Sequence, residues 1–287
     1  FHEMIGNSLT SPKYIDLSKA LKQEHNIEIL NPLSNDLSVM RQSMLFNALE
    51  VLSFNSNRKI SDFKLFEFGK TYHQYDAGRQ EPKHLSLLVS GLKGDKNWTL
   101  PSSKSTFFYF KGFVINVLER LGITDYSENG TNDENFSEGL SFSKNGKLLV
   151  EFGTINKSIT ANFGIDAETF YADFKWDDVL EEIATDNFIL KAIPKFPKVK
   201  RDLALLIDES VTFDSLKKTA QKTEKKLLKN INLFDVYTGS ELPEGKKSYA
   251  LSFTLQDEKR TLTDKQIDKI MKKLQQNFES EFGASLR

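Results

Sequence analysis

In "FPKVKRDLALLID", residues 196–208, Lys198, Lys200 and Arg201 stand directly ahead of an aliphatic run that reads as a buried strand. Cations at a strand entrance can meet phosphates, and a phosphate contact adds salt-dependent affinity for a polyanion. Further on, "KSYALSFTLQ" (247–256) alternates: Tyr249, Leu251, Phe253 and Leu255 face one way, and Ser248, Ala250, Ser252 and Thr254 the other. With Asp235 and Tyr237 in the same alternation on the neighbouring strand, the small polar side would make a flat, weakly hydrophobic platform on which single-stranded RNA could lie, although one tyrosine does not by itself establish RNA binding. Stacking on such an aromatic contributes roughly 1–3 kcal/mol per base. A basic flank of Lys218, Lys222, Lys225, Lys226 and Lys229 runs beside it. Each feature has a plain structural alternative. The lysines suit the wet side of a helix, the platform suits a solvated sheet face, and Arg201 can pair with the adjacent Asp202.

Other chemistries lack their residues. The four histidines (His2, His25, His73, His84) are scattered, and in "HEMIG" Gly6 stands where a zinc-protease helix needs its second histidine. "FGKT" at 68–71 echoes the end of a phosphate loop, but Lys64 occupies the position of that motif's first glycine and the segment reads as a strand. There is no G-x-S-x-G elbow. The absence of cysteine removes disulfides, thiolate metal sites and cysteine nucleophiles. No metal-ligand spacing stands out among the acidic residues.

These side chains need elements to hold them. A chain of 287 residues, 39% hydrophobic, supports at least two domains. The formal net charge of −1 is unevenly spread: residues 194–287 hold 19 Lys+Arg against 14 Asp+Glu, and the remainder 20 against 26. A basic tail on an acidic body points to a polyanionic partner for the tail. Two prolines, Pro194 and Pro197, sit in the aperiodic segment 186–200, which places a boundary between residues 1–193 and 194–287. No apolar run approaches the ~20 residues needed to cross a bilayer and no leader pattern opens the chain, so the expected setting is cytoplasmic and away from membranes. Phe1 falls inside strand-like sequence, which predicts a piece of a longer polypeptide.

In the body, strands are expected at 2–9, 64–72, 84–92, 147–155 and 169–176, helices at 38–55 and 106–121, and a polar loop at 124–138. The tail reads as strand 201–208, helix 213–228 with Thr212 as N-cap, strand 231–239, a turn through "SELPEGK", strand 247–256, a helix from Thr263 with a capping box to Gln266, and a closing strand "ASLR". That βαββαβ order is the ferredoxin-like split unit. The fold class is α+β.

"FPKVKRDLALLID", "LFDVYTGSELPEGKKSYALSFTLQDEKRTLTDKQI" and "FGASLR" together resemble the C-terminal, ferredoxin-like anticodon-binding domain of bacterial phenylalanyl-tRNA synthetase β subunits, over residues 194–287. "NPLSNDLSVMRQSMLFNALEVLSFNSNRK" with "FKLFEFGKTY" is similar to the catalytic-like module of the same subunit, a class II synthetase antiparallel-sheet fold. The resemblance implies that the tail binds the anticodon stem-loop of tRNA(Phe), and it makes Lys198, Lys200, Arg201, Asp235, Tyr237, Ser248 and Ser252 the candidate RNA contacts. It implies that the body packs on the catalytic α subunit in an (αβ)₂ heterotetramer. A purely structural interface module without RNA contact is the alternative.

Active class II modules place an arginine after a strand like "FEFGKTY" to hold the ATP α-phosphate. Here that position is His73, and no G-x-G-x-x-x-R stretch follows as far as Lys191. Without such cations the charged intermediate lacks its main electrostatic stabilisation. The body is therefore expected to hold no catalytic residue and no cofactor, with ATP and magnesium used by the holoenzyme as the resemblance implies. The family's tRNA-binding, editing and magnesium-associated segments would precede Phe1, so their functions are not carried over.

Overall fold

The computed structural model describes residues 1–94, 97–99, 101–185, 193–239 and 242–287, and the chain divides into two compact units, Phe1–Phe188 and Ile189–Arg287. Of the expected crossing segment 186–200, residues 186–192 lie outside the described residues, as do two positions of the expected "SELPEGK" turn.

The first unit opens with β1 (His2–Glu3), β2 (Leu9–Thr10), β3 (Val39–Met40), α1 (Leu45–Ser56), β4 (Phe63–Lys70), β5 (His73–Tyr75), β6 (Gly78–Gln80) and β7 (Lys83–Ser90). It continues through α2 (Phe107–Arg120), β8 (Ser127–Gly130), β9 (Phe136–Lys144), β10 (Lys147–Ile155), α3 (Lys157–Thr160), β11 (Thr169–Lys175) and α4 (Trp176–Thr185). Seven strands form one sheet in the order β1-β4-β7-β11-β10-β9-β8, antiparallel except for the β1/β4 pair.

Side-chain alternation divides this sheet into two chemically different faces. Leu85, Leu87, Val89, Phe142, Val150, Phe152, Phe170 and Phe174 pack against Phe110, Val114 and Leu118 of α2. Phe110, Val114, Val117 and Leu121 follow one helical stripe, Thr106 caps the start, and Gly122 takes the left-handed φ of 82° that stops the helix close to its expected end at 121. The opposite face is apolar where α1 and α3 cover it, with Leu49, Leu52, Phe63, Leu88, Ile159 and Tyr171 in one cluster. Toward the other strand ends it turns polar, with Glu67, His84, Ser86, Asp173, Lys175 and Glu151 in register.

Two linked arrangements organise that polar side. Arg41 donates through Nη1 to Glu67 Oε1 at 2.9 Å with both side chains 3% exposed, and its Nε donates to the Lys70 carbonyl at 2.9 Å. Gly69 is glycine for this reason: a Cβ there would strike the Arg41 guanidinium and approach the Met44 methyl to 2.8 Å. "FGKT" is thus a strand shaped by packing. Beside it runs a relay: Asp173 Oδ1 accepts from His84 Nδ1 at 2.6 Å, and Thr71 Oγ1 lies 3.0 Å from both His84 Nε2 and His73 Nε2. Burial alone would raise the Asp173 pKa, but Lys175 and then His84 outweigh it and hold the carboxyl at about 2. Burial, followed by the nearby His84, His25 and Lys175, lowers His73 to about 4.

Several boundaries differ from expectation. The strand expected at 2–9 is only His2–Glu3, because the Gly6 N–H turns inward to Glu67 Oε1. The helix expected from Ser38 begins at Leu45, since Val39–Met40 is committed to pairing with Leu9–Thr10. The expected loop 124–138 contains edge strand β8 and the start of β9; an edge strand needs backbone partners rather than apolar side chains, so composition conceals it.

The second unit comprises β12 (Val199–Asp208), α5 (Phe213–Thr223), β13 (Leu228–Tyr237), β14 (Lys246–Leu255), α6 (Asp264–Phe282) and β15 (Ser285–Leu286). Its sheet order is β13-β14-β12-β15, all antiparallel, with α5 and α6 packed on the face that carries Leu205, Ile207, Leu251 and Phe253. The βαββαβ reading, the Thr212 cap and the Thr263/Gln266 capping box are all present. The expected helix 213–228 stops at Thr223. Lys273 of α6 donates to the Thr223 carbonyl at 3.1 Å, and Glu224 Oε1 accepts from the N–H groups of Lys226 and Leu227, turning the chain into β13.

Two outcomes follow for the first unit. Replacing Arg41 by Met strands a buried carboxylate, so unfolding should lose about 3–5 kcal/mol. Urea denaturation read by the fluorescence of Trp98 and Trp176, both in this unit, measures it, and a loss under 1 kcal/mol would contradict the assignment. Because the folded pKa of His73 lies below that of the free imidazole, its contribution is complete above pH 6.5 and is lost as pH falls from 6.5 toward 4. His73→Gln should therefore lose less urea stability between pH 7 and pH 5 than the parent; an equal loss would remove His73 from the acid response.

Candidate nucleic-acid interface

In β12 the strand geometry separates the cations that the sequence places together. Lys200 stands in register with Thr254 and Arg201 with Phe253, so they emerge on opposite faces of the sheet. Arg201 shares the side of α6 and bonds Asp264 of its first turn, Nη2 to Oδ1, at 3.4 Å. The intramolecular pairing of Arg201 exists, but with Asp264 rather than its neighbour Asp202. Lys198 precedes the strand and is exposed, as is Lys200.

The face away from the helices carries Lys200, Asp202, Ala204 and Leu206 from β12, Ser248, Ala250, Ser252 and Thr254 from β14, and Asn230, Asn232, Asp235 and Tyr237 from β13. Asp235 is exposed beside a bulge between Leu233 and Asp235, which leaves Phe234 54% exposed. Ser252 is half-buried between Asp202 and Asn232. The platform is not uniformly open. Ser248 is 5% exposed and Thr254 8%. Tyr237 stands directly opposite Ser248, and the Arg287 guanidinium lies 4.7 Å from the centre of its ring. Cross-strand neighbours therefore cover Ser248, which sequence alternation alone could not reveal.

Nor is the basic flank one surface. Lys218 pairs with Asp214 at 2.6 Å, Lys225 and Lys226 lie in the turn after α5, and Lys229 is on β13 with Glu258 at 2.8 Å. Asn230, Asn232 and Arg287 were not singled out by sequence. The two asparagines precede Asp235 on its own strand and share its face, a signal that strand alternation carries; Arg287 has no such signal, being fifty positions from Tyr237.

In the first unit, the polar side of the large sheet forms a cleft of about 670 Å³. Its lining includes Lys19, Lys83 and Lys175 but six carboxylates and, among the described residues, no arginine. Each lysine already has a carboxylate: Lys19 with Glu134 at 2.7 Å, Lys83 with Asp177 at 3.9 Å, and Lys175 with Asp173 at 2.7 Å. This lining does not fit a triphosphate. Among the described residues no group of three or more histidine, aspartate or glutamate side chains is arranged to hold a metal ion, and no helix is long and apolar enough to cross a membrane.

Residues 1–176 match the family model described as the phenylalanyl tRNA synthetase beta chain CLM domain, and residues 194–287 match the ferredoxin-fold anticodon binding domain. Similar relatives include the phenylalanine–tRNA ligase beta subunits of Bacteroides thetaiotaomicron, 44% identical, Bacteroides fragilis, 43%, and Porphyromonas gingivalis, 38%. Each alignment covers 100% of this chain and 36% of the relative, so the chain spans little more than a third of their length. A crystal structure of pyrrolysyl-tRNA synthetase from Desulfitobacterium hafniense aligns over 63% of both chains with a TM-score of 0.48 and 13% identity. With a match covering most of its length in the first unit and a second match over the tail, the chain belongs to the phenylalanyl-tRNA synthetase β-chain family.

Proposed function

We propose that the second unit binds the anticodon stem-loop of tRNA(Phe) and that the first unit serves as a non-catalytic scaffold for the α subunit of a phenylalanine–tRNA ligase. The observation that carries the RNA reading is the uncovered sheet face. Both helices pack on one side, leaving Lys200, Asn230, Asn232, Ser252 and the Tyr237 ring on the other. Asparagine and serine side chains there match the donors and acceptors of unstacked bases, and Tyr237 gives one base a surface to stack on. Lys200 and Lys198 add phosphate attraction, while Arg201 is occupied by Asp264.

For the first unit, an apolar groove of about 420 Å³ lies on the α2 side, lined by Phe66, Phe68, Phe113, Val117, Leu121 and Trp176. Phe68 is 51% exposed in it. An uncovered aromatic groove of this kind suits a protein partner, and the proposed partner is the α subunit, in an (αβ)₂ assembly. ATP and magnesium belong to the chemistry of the complete ligase in this reading. The acidic lining of the cleft, with each of its three lysines already paired to a carboxylate, supports an inactive module here.

Binding of a tRNA(Phe) anticodon stem-loop across a salt series tests the RNA role. Log affinity should fall linearly with log salt, with a slope of about −0.7 for each phosphate neutralised. Lys200→Glu should weaken binding and flatten that slope, whereas Arg201→Glu should chiefly lower the stability of the tail. Salt-independent binding, or equal affinity for an unrelated hairpin, would favour a purely structural interface. The chain by itself should show no phenylalanine-dependent pyrophosphate exchange, and measurable exchange would refute the scaffold assignment.

A further inference from the structure

Four residues form a row across the tail sheet. Tyr237 of β13 faces Ser248 of β14, Ser248 faces Leu206 of β12, and Leu206 faces Ser285 of β15. Arg287 lies two positions beyond Ser285, hence on the same face, and its N–H donates to the Ala204 carbonyl at 3.1 Å. Three strand spacings separate the backbones of β13 and β15, about 14 Å. Side chains rooted that far apart meet only if both lie along the sheet, and they do meet: the guanidinium carbon of Arg287 is 4.7 Å from the Tyr237 ring centroid.

The ring is constrained from a second direction. A Cβ at Gly239 would collide with the Tyr237 hydroxyl and the ring carbon that bears it, so the tip of the ring rests against a backbone that only glycine provides. Ser248, directly opposite Tyr237, retains 5% exposure. Gly239 and Arg287 thus contact the ring from two directions.

The surrounding charge gives Arg287 a second part to play. Exposed Asp202 and Asp235 flank this face and repel phosphate, and Lys200 is the cation that β12 adds to it. Arg287 brings a guanidinium over the ring, from the opposite edge of the sheet. Planar and permanently charged, it can stack on an aromatic face and bond phosphate oxygens, whereas an ammonium group acts as a point charge.

We infer that Arg287 is a positioning residue for RNA recognition, holding Tyr237 flat for a nucleobase and supplying a cation to the phosphate of the nucleotide that stacks there. This rests on the RNA reading of the open face, and the test separates the two. The full chain is titrated with the tRNA(Phe) anticodon stem-loop at several salt concentrations, using Tyr237→Ala, Arg287→Ala, Arg287→Lys and the Tyr237/Arg287 double alanine variant. Arg287→Ala should bind about tenfold more weakly, with the magnitude of its salt slope reduced by about 0.7. Arg287→Lys should recover the slope but remain several-fold weaker, because the planar contact is lost. The double variant should lose less than the product of the two single losses. Parental affinity in both Arg287 variants overturns the inference, as does complete recovery by lysine, which would leave charge as the sole contribution. If Tyr237→Ala binds as tightly as the parent, the RNA reading of this face fails and the inference with it. Weak binding by Tyr237→Ala together with parental binding by the Arg287 variants removes the inference alone.

Discussion

The period-two alternation of side chains along a strand governs the chemistry of both sheets in this protein. In β12 it sends Lys200 to the uncovered face and Arg201 to the side of α6, where Asp264 is within reach. Adjacent cations in the sequence thereby acquire different tasks. A one-residue register slip would move the leucines of β12 away from Phe253 and Leu274 and place Arg201 on the uncovered face. The core prevents this, because Leu205, Ile207, Leu251 and Phe253 are all fully buried beneath the helices. The site is thus defined by what the helices leave uncovered.

The same constraint shapes the first unit with a different result. One face of its seven-stranded sheet is a nearly continuous aromatic and aliphatic layer against α2. The other changes from apolar under α1 to polar in the cleft, where charge is balanced internally. Arg41 is enclosed with Glu67, and Asp173 is shared between His84 and Lys175. A nucleotide-binding cleft needs cations free to meet incoming phosphates. This one has its lysines engaged and carboxylates in excess, and the proposed scaffold role rests on that balance.

In the tail, distant parts of the chain combine to orient one aromatic ring. Tyr237 ends an edge strand, Gly239 follows it, and Arg287 reaches over from the opposite edge. None of these contacts contributes to the hydrophobic core. Fixing a side chain at an exposed surface costs conformational entropy, and the arrangement has a physical use if that ordering reduces what remains to be ordered when a base stacks.

Local patterns were legible in the sequence. The Thr212 and Thr263 caps, the helix over 106–121, the alternation of β14 and the βαββαβ order each depend on residues a few positions apart, and each stands as read to within a residue or two. Tertiary structure decided the features that depend on distant residues. The end of α5 depends on Lys273 from α6, the start of α1 on pairing between residues 9–10 and 39–40, and the burial of Ser248 on cross-strand neighbours. Arg201 found its carboxylate 63 positions away instead of beside it. The physical reason is common to all of them: caps and periodicity are set by local backbone geometry, whereas cross-strand cover and ion-pair choice are set by which distant elements the packed core brings within a few ångströms.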